Sequence, residues 1–358
     1  MQGCPITSPL LNGPTIPLSI EFNYADLKYP AATGELPLLS AIRDYYNHFY
    51  GTSITTDNVA VFAGGRPGIY NTLAFLLPQF KVLVEETEYT PYYDALRLLN
   101  KKYEIVPSHP GNRFRPCLAD YRAAAGEEPS FLLKSNPCNP TGVTLTGPEL
   151  QEMVAFFSAE QRGGLFDEAY EFFHDRPDSA LRYVKDLDRS NIFIVSAATK
   201  GLQAPGLRVG WVVASKANIE LFRNFSSIAM GGVARPSQIC TAGLLELVRV
   251  EQSRRAVAEF YSMQRERYGR ALQELGLELL TGEGGFYHWV RLPAGLSALE
   301  FNDRLMQHQA ATLPGTLCDM FRRGEGGPHS QFFRFSFGPL PAESFEGDVA
   351  ILRACLQL

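Results

Sequence analysis

One lysine of the sequence stands where it could bond covalently to a carbonyl compound. Lys200 follows the apolar run NIFIVSA within the small-residue turn SAATKG, and Arg208 lies eight positions later. A lysine that forms a Schiff base needs partial desolvation to lower its pKa, and a cationic neighbourhood holds an anionic ligand. The spacing therefore predicts that Lys200 forms an imine and that Arg208 makes a bidentate phosphate contact. The alternative is that both residues are exposed and flank a strand and a turn.

Two further motifs lie upstream of this lysine, each after an apolar run. They are SNPCNPTG at 135–142 and FDEAY at 166–170, and TKGLQAPGLRVG at 199–210 completes the series. In this order and context the three motifs resemble those of the class I and II aminotransferases, which are pyridoxal 5'-phosphate (PLP) enzymes of fold type I. The likeness extends over nearly the whole chain. NPTG alone is a common turn, whereas the three motifs together are specific.

The resemblance implies contacts to the cofactor ring. Asp167 would pair with the pyridine nitrogen and keep it protonated, which makes the ring an electron sink. Its place at the end of a strand suits ligand binding in open α/β sheets, although an aspartate there can also cap a helix. Tyr170 and Asn139 would hydrogen-bond the phenolic oxygen, and Asn139 also suits the turn in NPTG. Tyr89 would stack on the ring or, alternatively, pack in the core.

The segment VFAGGRPGIYN at 61–71 resembles the family's phosphate cradle. Glycines between an apolar strand and a helix leave free N–H groups at the start of the helix. Gly64, Gly65 and the backbone of Arg66 are therefore predicted to bind the phosphate. The Arg66 side chain departs from the common pattern, and it either points to solvent or adds a phosphate or substrate contact.

Two more phosphate contacts are implied by the resemblance. Many relatives have a phosphate-binding serine where this chain has Ala197, so Ser196 or Thr199 is the predicted substitute. Tyr29, in YPAATGELPLL, resembles a tyrosine that reaches across a dimer interface to the phosphate of the neighbouring subunit. The expected assembly is a homodimer with a shared active site.

The run FFRFSFG contains Arg334 among alternating apolar residues. An arginine in such a run is unfavourable unless it is paired, and its planar fork matches a carboxylate. The resemblance implies that Arg334, with Asn139, binds the α-carboxylate of the substrate. The alternative is an arginine on the solvated edge of a strand. The loop LPGTLCD at 313–319 is predicted to lie beside the same site.

These residues need a scaffold, and the hydrophobic pattern predicts one. Short β-rich runs alternate with amphipathic stretches from NVAVFA to RVGWVVA, which indicates a mostly parallel sheet covered by helices on both faces. Helices are predicted from Glu35 to Gly51 and from Ser237 to Gly276, and an α+β unit follows the second. The predicted fold class is α/β, PLP fold type I. Its predicted parts are an N-terminal arm (1–35) packed with the small domain, a large PLP-binding domain (36–245) and a small C-terminal domain (246–358).

Composition narrows the class of protein. Hydrophobic residues make up 45% and charged residues 20%, and the net charge of -5 is spread without long runs of one sign. This distribution argues against nucleic-acid binding, and small molecules are the expected partners. The six cysteines show no metal-ligand spacing and predict reduced thiols in a cytoplasmic protein without a metal site. No signal peptide is recognised, and no apolar run is long enough to suggest a membrane span.

The expected reaction begins at Cα of an L-amino acid, where the Lys200 amine acts as general base. Aminotransfer to a 2-oxo acid is the favoured continuation, and loss of a β or γ leaving group by a lyase or cyclase is the alternative. Glu21 and Asp26 in SIEFNYADLKYP suggest a pocket for a cationic side chain, as in PLP cyclases that act on hydroxylated arginine; otherwise they are solvated loop acids. A ligand-sensing regulator would need a DNA-binding region that this chain does not provide. An inactive homologue would be expected to lose Lys200 or Asp167.

Overall fold

A computed structural model of the protein describes residues 3–356, and a mostly parallel sheet lies at its centre. Seven strands form this sheet within the described residues: β1 (Val59–Phe62), β2 (Lys81–Glu85), β3 (Tyr103–Val106), β4 (Ser130–Ser135), β5 (Arg162–Asp167), β6 (Ile192–Ala197) and β7 (Gly210–Val213). Their spatial order is β1-β7-β6-β5-β4-β2-β3, and β7 runs antiparallel to both of its neighbours. The predicted α/β class is confirmed.

Both faces of the sheet are buried, which explains why its strands are continuous apolar runs. In β6, Ile192 and Ile194 belong to one hydrophobic core, whereas Phe193 and Val195 belong to the core on the other face. The helices in chain order are α1 (Leu36–Tyr50), α2 (Gly65–Phe75), α3 (Thr90–Leu98), α4 (Leu118–Ala125), α5 (Gly147–Phe157), α6 (Lys216–Phe225), α7 (Arg235–Leu244), α8 (Leu247–Glu274), α9 (Ala298–Met306) and α10 (Phe345–Leu356).

The two helices predicted individually have different outcomes. The first is confirmed as α1, and it ends at Gly51, whose φ of 65° is the left-handed conformation that glycine adopts without strain. The prediction of one helix over 237–276 is wrong, because α7 and α8 are separate. The chain leaves helical geometry at Glu246, two residues after α7 ends. Gly243, with its low helix propensity, lies next to this break.

A second, antiparallel sheet follows α8. Its strands are β8 (Glu278–Leu279), β9 (Tyr287–Arg291), β10 (Leu313–Pro314) and β11 (Phe332–Ser336), in the spatial order β10-β11-β9-β8. This sheet and its helices fall in the region where the sequence indicates an α+β unit; the domain boundaries themselves stay predictions. Between residues 3 and 356, no helix is both long and apolar enough to cross a membrane.

Candidate active site

A cavity of about 630 Å³ opens where the parallel strands of the central sheet end. Ten of the residues singled out from the sequence line it: Gly65, Arg66, Tyr89, Asn139, Asp167, Tyr170, Thr199, Lys200, Arg208 and Arg334. They come from segments spread over most of the chain, so the fold is what brings them together. The position agrees with the rule that ligands of open α/β sheets bind at the carboxyl ends of the strands.

Lys200 lies in the turn after β6 and is partly shielded from solvent. Its Nζ donates a hydrogen bond to the carbonyl oxygen of Gly3. The same nitrogen lies 5.5 Å from the ring centroids of Tyr170 and Phe286. Burial lowers the pKa of the Lys200 ammonium group to about 8. The neutral, nucleophilic fraction of the amine near neutral pH is therefore much larger than that of an ordinary lysine, although the protonated form still predominates there.

Asp167 is the last residue of β5 and is buried at the inner wall of the cavity. Its Oδ2 accepts a hydrogen bond of 3.0 Å from the Tyr92 hydroxyl, and its Oδ1 accepts one of 3.2 Å from the Ala169 amide. Burial raises the pKa of Asp167 to about 6, and these hydrogen bonds oppose the rise. The carboxyl is therefore held in one orientation and stays mostly ionised at pH 7. It is suited to pair with a protonated ring nitrogen.

Arg334 and Asn139 join the two sheets at the cavity. Arg334 lies on β11, is buried, and donates from Nη1 to Oδ1 of Asn139 at 2.6 Å. Its guanidinium carbon also lies 4.6 Å from the centroid of the Tyr287 ring. Its Nε has no hydrogen-bond partner among the described residues, although it is buried. A buried guanidinium with an unsatisfied donor at a cavity wall is suited to bind a carboxylate.

The turn between β1 and α2 packs closely against Arg208. Gly64 has a φ of 100°, and a Cβ at this position would overlap the Arg208 guanidinium. A Cβ on Gly210 would likewise overlap the backbone of Gly64. The Arg208 side chain donates to the carbonyls of Pro205 at 3.0 Å and Ala63 at 3.3 Å. The glycines therefore let an arginine and the first amide groups of a helix approach one point, a geometry suited to phosphate.

The two candidates for replacing the missing serine separate in the structure. Thr199 and Ala197 line the cavity, whereas Ser196 lines only a second, small cavity with Trp211 and Leu202, which Ala197 also borders. Successive side chains of a strand point to opposite faces, so Ser196 and Ala197 cannot both face the ligand. The structure brings Thr199 to the site and does not bring Ser196 there.

The three arm residues singled out from the sequence lie away from the cavity of their own chain, which departs from the prediction for Glu21 and Asp26 but does not test the prediction that Tyr29 reaches a neighbouring subunit. Glu21 is exposed, and Tyr29 is 97% exposed. Asp26 is buried, accepts a hydrogen bond from the Asn23 amide at 2.9 Å and lies 3.5 Å from the guanidinium of Arg235. None of the three lines the cavity. Asp26 therefore already has a cationic partner within the chain, and the structure does not support it as a pocket for a cationic substrate.

Gly3 and Cys4 also line the cavity, and no sequence pattern indicates it, because they belong to a turn-rich stretch without periodicity. The segment that follows them is fixed by long-range hydrogen bonds. The Ile6 amide donates to the Tyr261 hydroxyl at 2.9 Å, and Gln203 Nε2 donates to the Ile6 carbonyl at 2.7 Å. The chain start therefore forms one wall of the site beside Lys200.

Glu88 supports the Tyr89 and Asn139 side of the cavity, and no pattern in the sequence singles it out. It is fully buried, and its carboxylate accepts hydrogen bonds from the Tyr89 amide at 2.9 Å and from the Ser135 hydroxyl. The Ser135 Oγ in turn accepts from the Asn139 amide at 3.0 Å. Burial raises the pKa of Glu88 to about 8. This hydrogen-bond network fixes the backbone amides of Tyr89 and Asn139.

Taken together, these residues fit pyridoxal phosphate. The Lys200 amine, with its lowered pKa, is suited to bond to the aldehyde of this cofactor. The buried Asp167 carboxylate is suited to pair with the ring nitrogen, and Arg208 at the glycine turn is suited to bind the phosphate. Tyr89 offers a ring at the wall, packed edge-on against Tyr92 at 5.4 Å between centroids.

Comparisons with known proteins agree with this geometry. The family model described as "Aminotransferase class I and II" matches residues 23–344. An aspartate aminotransferase of Pyrococcus horikoshii is 27% identical over 306 residues, which cover 83% of this chain and 76% of the relative. An LL-diaminopimelate aminotransferase of Desulforudis audaxviator is 26% identical over 372 residues, which cover 99% of this chain and 91% of the relative.

Solved structures show the same fold. The aspartate aminotransferase from Thermus thermophilus with maleate has a TM-score of 0.82 at 22% identity, covering 93% of this chain and 85% of that one. An aminotransferase from Staphylococcus aureus has a TM-score of 0.82 at 21% identity, and the match covers 99% of this chain and 96% of that one.

Proposed function

Because this chain belongs to the class I and II aminotransferase family, we propose that it moves the amino group of an L-amino acid to a 2-oxo acid by way of Lys200. The observation that carries the proposal is the convergence of Lys200, Asp167 and Arg334 on one cavity. The family is PLP-dependent, and this chain is an enzyme of the transferase class. The roles of individual residues below are part of the proposal.

When bound, pyridoxal phosphate supplies an aldehyde carbon for the amino group and a ring that withdraws electrons from Cα. Lys200 Nζ would hold the cofactor through its aldehyde carbon, and the free Lys200 amine would act as the base that accepts the Cα proton. Its lowered pKa lets the amine take up and release that proton near neutral pH. Asp167 keeps a proton on the ring nitrogen through its ionised carboxylate. Arg334 orients the substrate by binding its α-carboxylate.

The remaining residues position these groups. Asn139 and Tyr170 would hydrogen-bond the phenolic oxygen of the ring, and Tyr89 would stack on the ring. Arg208, Thr199 and the first amide groups of α2, those of Gly65 and Arg66, would bind the phosphate. Tyr170 is buried, and burial raises the pKa of its hydroxyl. It therefore acts as a hydrogen-bond donor.

We also propose a homodimer, with Tyr29 reaching the partner's phosphate. The support is the exposure of the arm: Leu18 is 98% exposed and Tyr24 is 91% exposed, together with Tyr29 itself. Such an apolar series is typical of a surface covered by another chain.

All six cysteines are unpaired, which supports the predicted cytoplasmic setting.

Aminotransfer is tested with a ¹⁵N-labelled L-amino acid and an unlabelled 2-oxo acid. The proposal expects ¹⁵N in the new amino acid by mass spectrometry. Release of ammonium or a cyclised product without transfer would contradict it and would favour the lyase or cyclase alternative. That alternative loses its main support in the structure, since Glu21 and Asp26 lie outside the cavity wall.

The protonation state of Lys200 sets how fast the apoprotein takes up the cofactor. Below pH 8 the amine is mostly protonated and cannot attack an aldehyde, and above pH 8 it is mostly neutral. We therefore expect the rate constant for uptake to rise about tenfold per pH unit below pH 8 and to level off above it. Stopped-flow absorbance between pH 6.5 and 9.5 measures this profile. A rate that is flat or falls over this range would contradict the assignment.

Substitution of Arg334 by glutamine is expected to raise the KM for the amino acid about 100-fold, with a smaller effect on kcat. The reason is that a charge-assisted contact present in both ground and transition states contributes roughly 1.5–3 kcal/mol. Arg291→Gln is the matched control, since Arg291 lies on the adjacent strand β9 and pairs with Glu278 at 2.7 Å outside the cavity. Equal KM values in the two variants would exclude a role for Arg334 in substrate binding.

A further inference from the structure

A cluster of charged side chains joins the two sheets, and we call its members Glu86, Asp319, Arg323 and His329 the Arg323 cluster. Arg323 Nη2 lies 2.5 Å from Glu86 Oε1, 3.0 Å from Asp319 Oδ1 and 3.4 Å from His329 Nδ1. The three acceptors are buried and lie close enough together to ligate a metal ion, but the guanidinium takes that place. Glu86 follows β2 of the central sheet, whereas the other three lie between β10 and β11 of the second sheet. One arginine therefore bonds two distant parts of the chain together.

Arg323 supplies the positive charge of the cluster. The Thr87 hydroxyl donates to the Ser108 carbonyl at 2.7 Å, so the His329 Nε2 that lies 2.6 Å from the same hydroxyl oxygen is the donor of that hydrogen bond. The proton on Nε2 leaves Nδ1 as an acceptor for Arg323. Burial lowers the pKa of His329, so its ring is mostly neutral at pH 7. Burial raises the pKa of Asp319, but the hydrogen bonds from Arg323 outweigh this effect, and the net pKa is lowered.

The backbone segments that carry the cluster are paired with each other. The Met320 amide donates to the Glu86 carbonyl at 2.9 Å, and the Glu88 amide donates to the Cys318 carbonyl at 3.2 Å. Separating the two segments would break these hydrogen bonds and would also leave buried carboxylates without their cation, which is strongly unfavourable. The Arg323 cluster therefore holds the segment 315–323 against the turn that follows β2.

Both paired segments carry residues of the candidate site. On one side, Tyr89 and Thr90 line the cavity, and on the other side Leu313 and Leu317 line it. The Thr90 hydroxyl donates to the Leu317 carbonyl at 2.8 Å. Leu313, just before the segment, is the strand partner of Arg334. The pairing therefore helps to set the position of Arg334 relative to the ring of Tyr89.

We propose that Arg323 is a positioning residue, which holds the carboxylate-binding Arg334 and the ring-stacking Tyr89 at the separation that Cα deprotonation requires. Arg323 acts through these residues, since it does not line the cavity itself. A misplacement of about 1 Å between reacting groups can lower a rate about 100-fold. The inference rests on the proposed function, because it assumes that Arg334 binds the α-carboxylate and that Tyr89 stacks on the cofactor ring.

Two measurements on the cofactor-loaded enzyme separate positioning from binding. The first is the exchange of the Cα proton of an L-amino acid for deuterium in D₂O, followed by NMR at saturating amino acid. Exchange requires Cα to be correctly oriented on the ring. The second is the binding of pentanoate by calorimetry, which requires only that Arg334 can bind a carboxylate. Loss of a positioning residue should lower the exchange rate and leave the dissociation constant of pentanoate nearly unchanged.

Two variants weaken the cluster without leaving it with an extra unpaired charge. Arg323→Lys keeps the charge but loses the fork that reaches both acids, and we expect exchange to fall about tenfold. Arg323→Gln combined with Glu86→Gln removes one cation and one acid, so the net charge of the cluster is unchanged, and Asp319 keeps its hydrogen bond of 3.0 Å from the Phe321 amide. In this double variant exchange should fall about 100-fold. The dissociation constant of pentanoate should change less than about threefold in both.

Arg115→Lys is the matched control. Arg115 also joins two acids from distant segments, Glu149 at 2.8 Å and Glu283 at 3.1 Å, and its side chain is 33% exposed, against 35% for Arg323. It does not line the cavity. Its substitution should change neither exchange nor pentanoate binding. The unfolding midpoint of every variant is measured, and exchange is compared well below it, so that a lower rate does not reflect unfolded protein.

Three results would overturn the inference: wild-type exchange rates in both Arg323 variants, a pentanoate affinity that falls in parallel with exchange, or an equal loss of exchange in Arg115→Lys. Exchange does not require amino-group transfer, so failure of ¹⁵N transfer with exchange lowered as expected would refute only the proposed reaction. Transfer with wild-type exchange rates in both variants would refute only the role of Arg323. A wild type that exchanges no L-amino acid would refute both.

Discussion

Replacing Lys200 by alanine is expected to lower kcat for amino-group transfer by about 10⁴-fold or more. The same Nζ serves as the covalent anchor and as the base that accepts the Cα proton, and general-base catalysis alone contributes roughly 10²–10⁴-fold. The structure leaves no obvious replacement, since Lys200 is the one lysine on the described cavity wall. Steady-state assay of transfer with a single amino acid measures the loss.

Lys185→Ala is the control, because Lys185 is exposed and distant from the cavity lining. It should retain wild-type kcat. A Lys200→Ala variant within tenfold of the wild type, properly folded, would mean that another group performs proton transfer.

Replacing Asp167 by asparagine is expected to lower kcat by about 10²–10³-fold, the size typical of losing one preorganised electrostatic contact. Asparagine keeps the shape but carries no charge, so the ring nitrogen loses its proton and the Cα carbanion loses its electron sink. The effect should fall on kcat more than on KM, because the charge is needed mainly in the transition state.

Tyr92→Phe provides a graded comparison. It removes the hydroxyl that donates to Asp167 Oδ2 at 3.0 Å but leaves the carboxylate in place. The kcat of Tyr92→Phe should be about tenfold lower than that of the wild type. If Asp167→Asn were no more damaging than Tyr92→Phe, the charge of Asp167 would have no part in catalysis.

Much of the fold is predictable from the sequence because its signals are local. Continuous apolar runs such as NIFIVSA imply strands buried on both faces, and β6 is buried throughout its length. The glycine that ends α1 is a local signal of the same kind. The break between α7 and α8 was missed because hydrophobic periodicity continues through it, and a single glycine weakens a helix without placing its end.

The site is predictable to the extent that its motifs are contiguous. Asp167 lies at the end of a predicted strand and Lys200 and Asn139 lie shortly after one, and parallel strands bring such positions to one edge of the sheet. Ser196 shows the limit of this reasoning, because the alternation of a strand turns it away while its neighbour Ala197 faces the cavity.

Long-range contacts account for what the sequence could not indicate. The pairing of Asp26 with Arg235 spans 209 positions, and no local pattern distinguishes it from a free pocket acid. The entry of Gly3 into the site depends equally on distant anchors at Gln203 and Tyr261. Glu88 resembles any acid of the run VEETEY, and only its burial beneath Tyr89 reveals a supporting role.

The covalent role proposed for Lys200 is tested by finding where the cofactor is attached. The protein is loaded with pyridoxal phosphate, reduced with borohydride, digested, and its peptides are analysed by mass spectrometry. We expect a phosphopyridoxyl group on Lys200, with stoichiometric modification of the peptide that contains it. An unmodified Lys200, or modification confined to another lysine, would contradict the central claim.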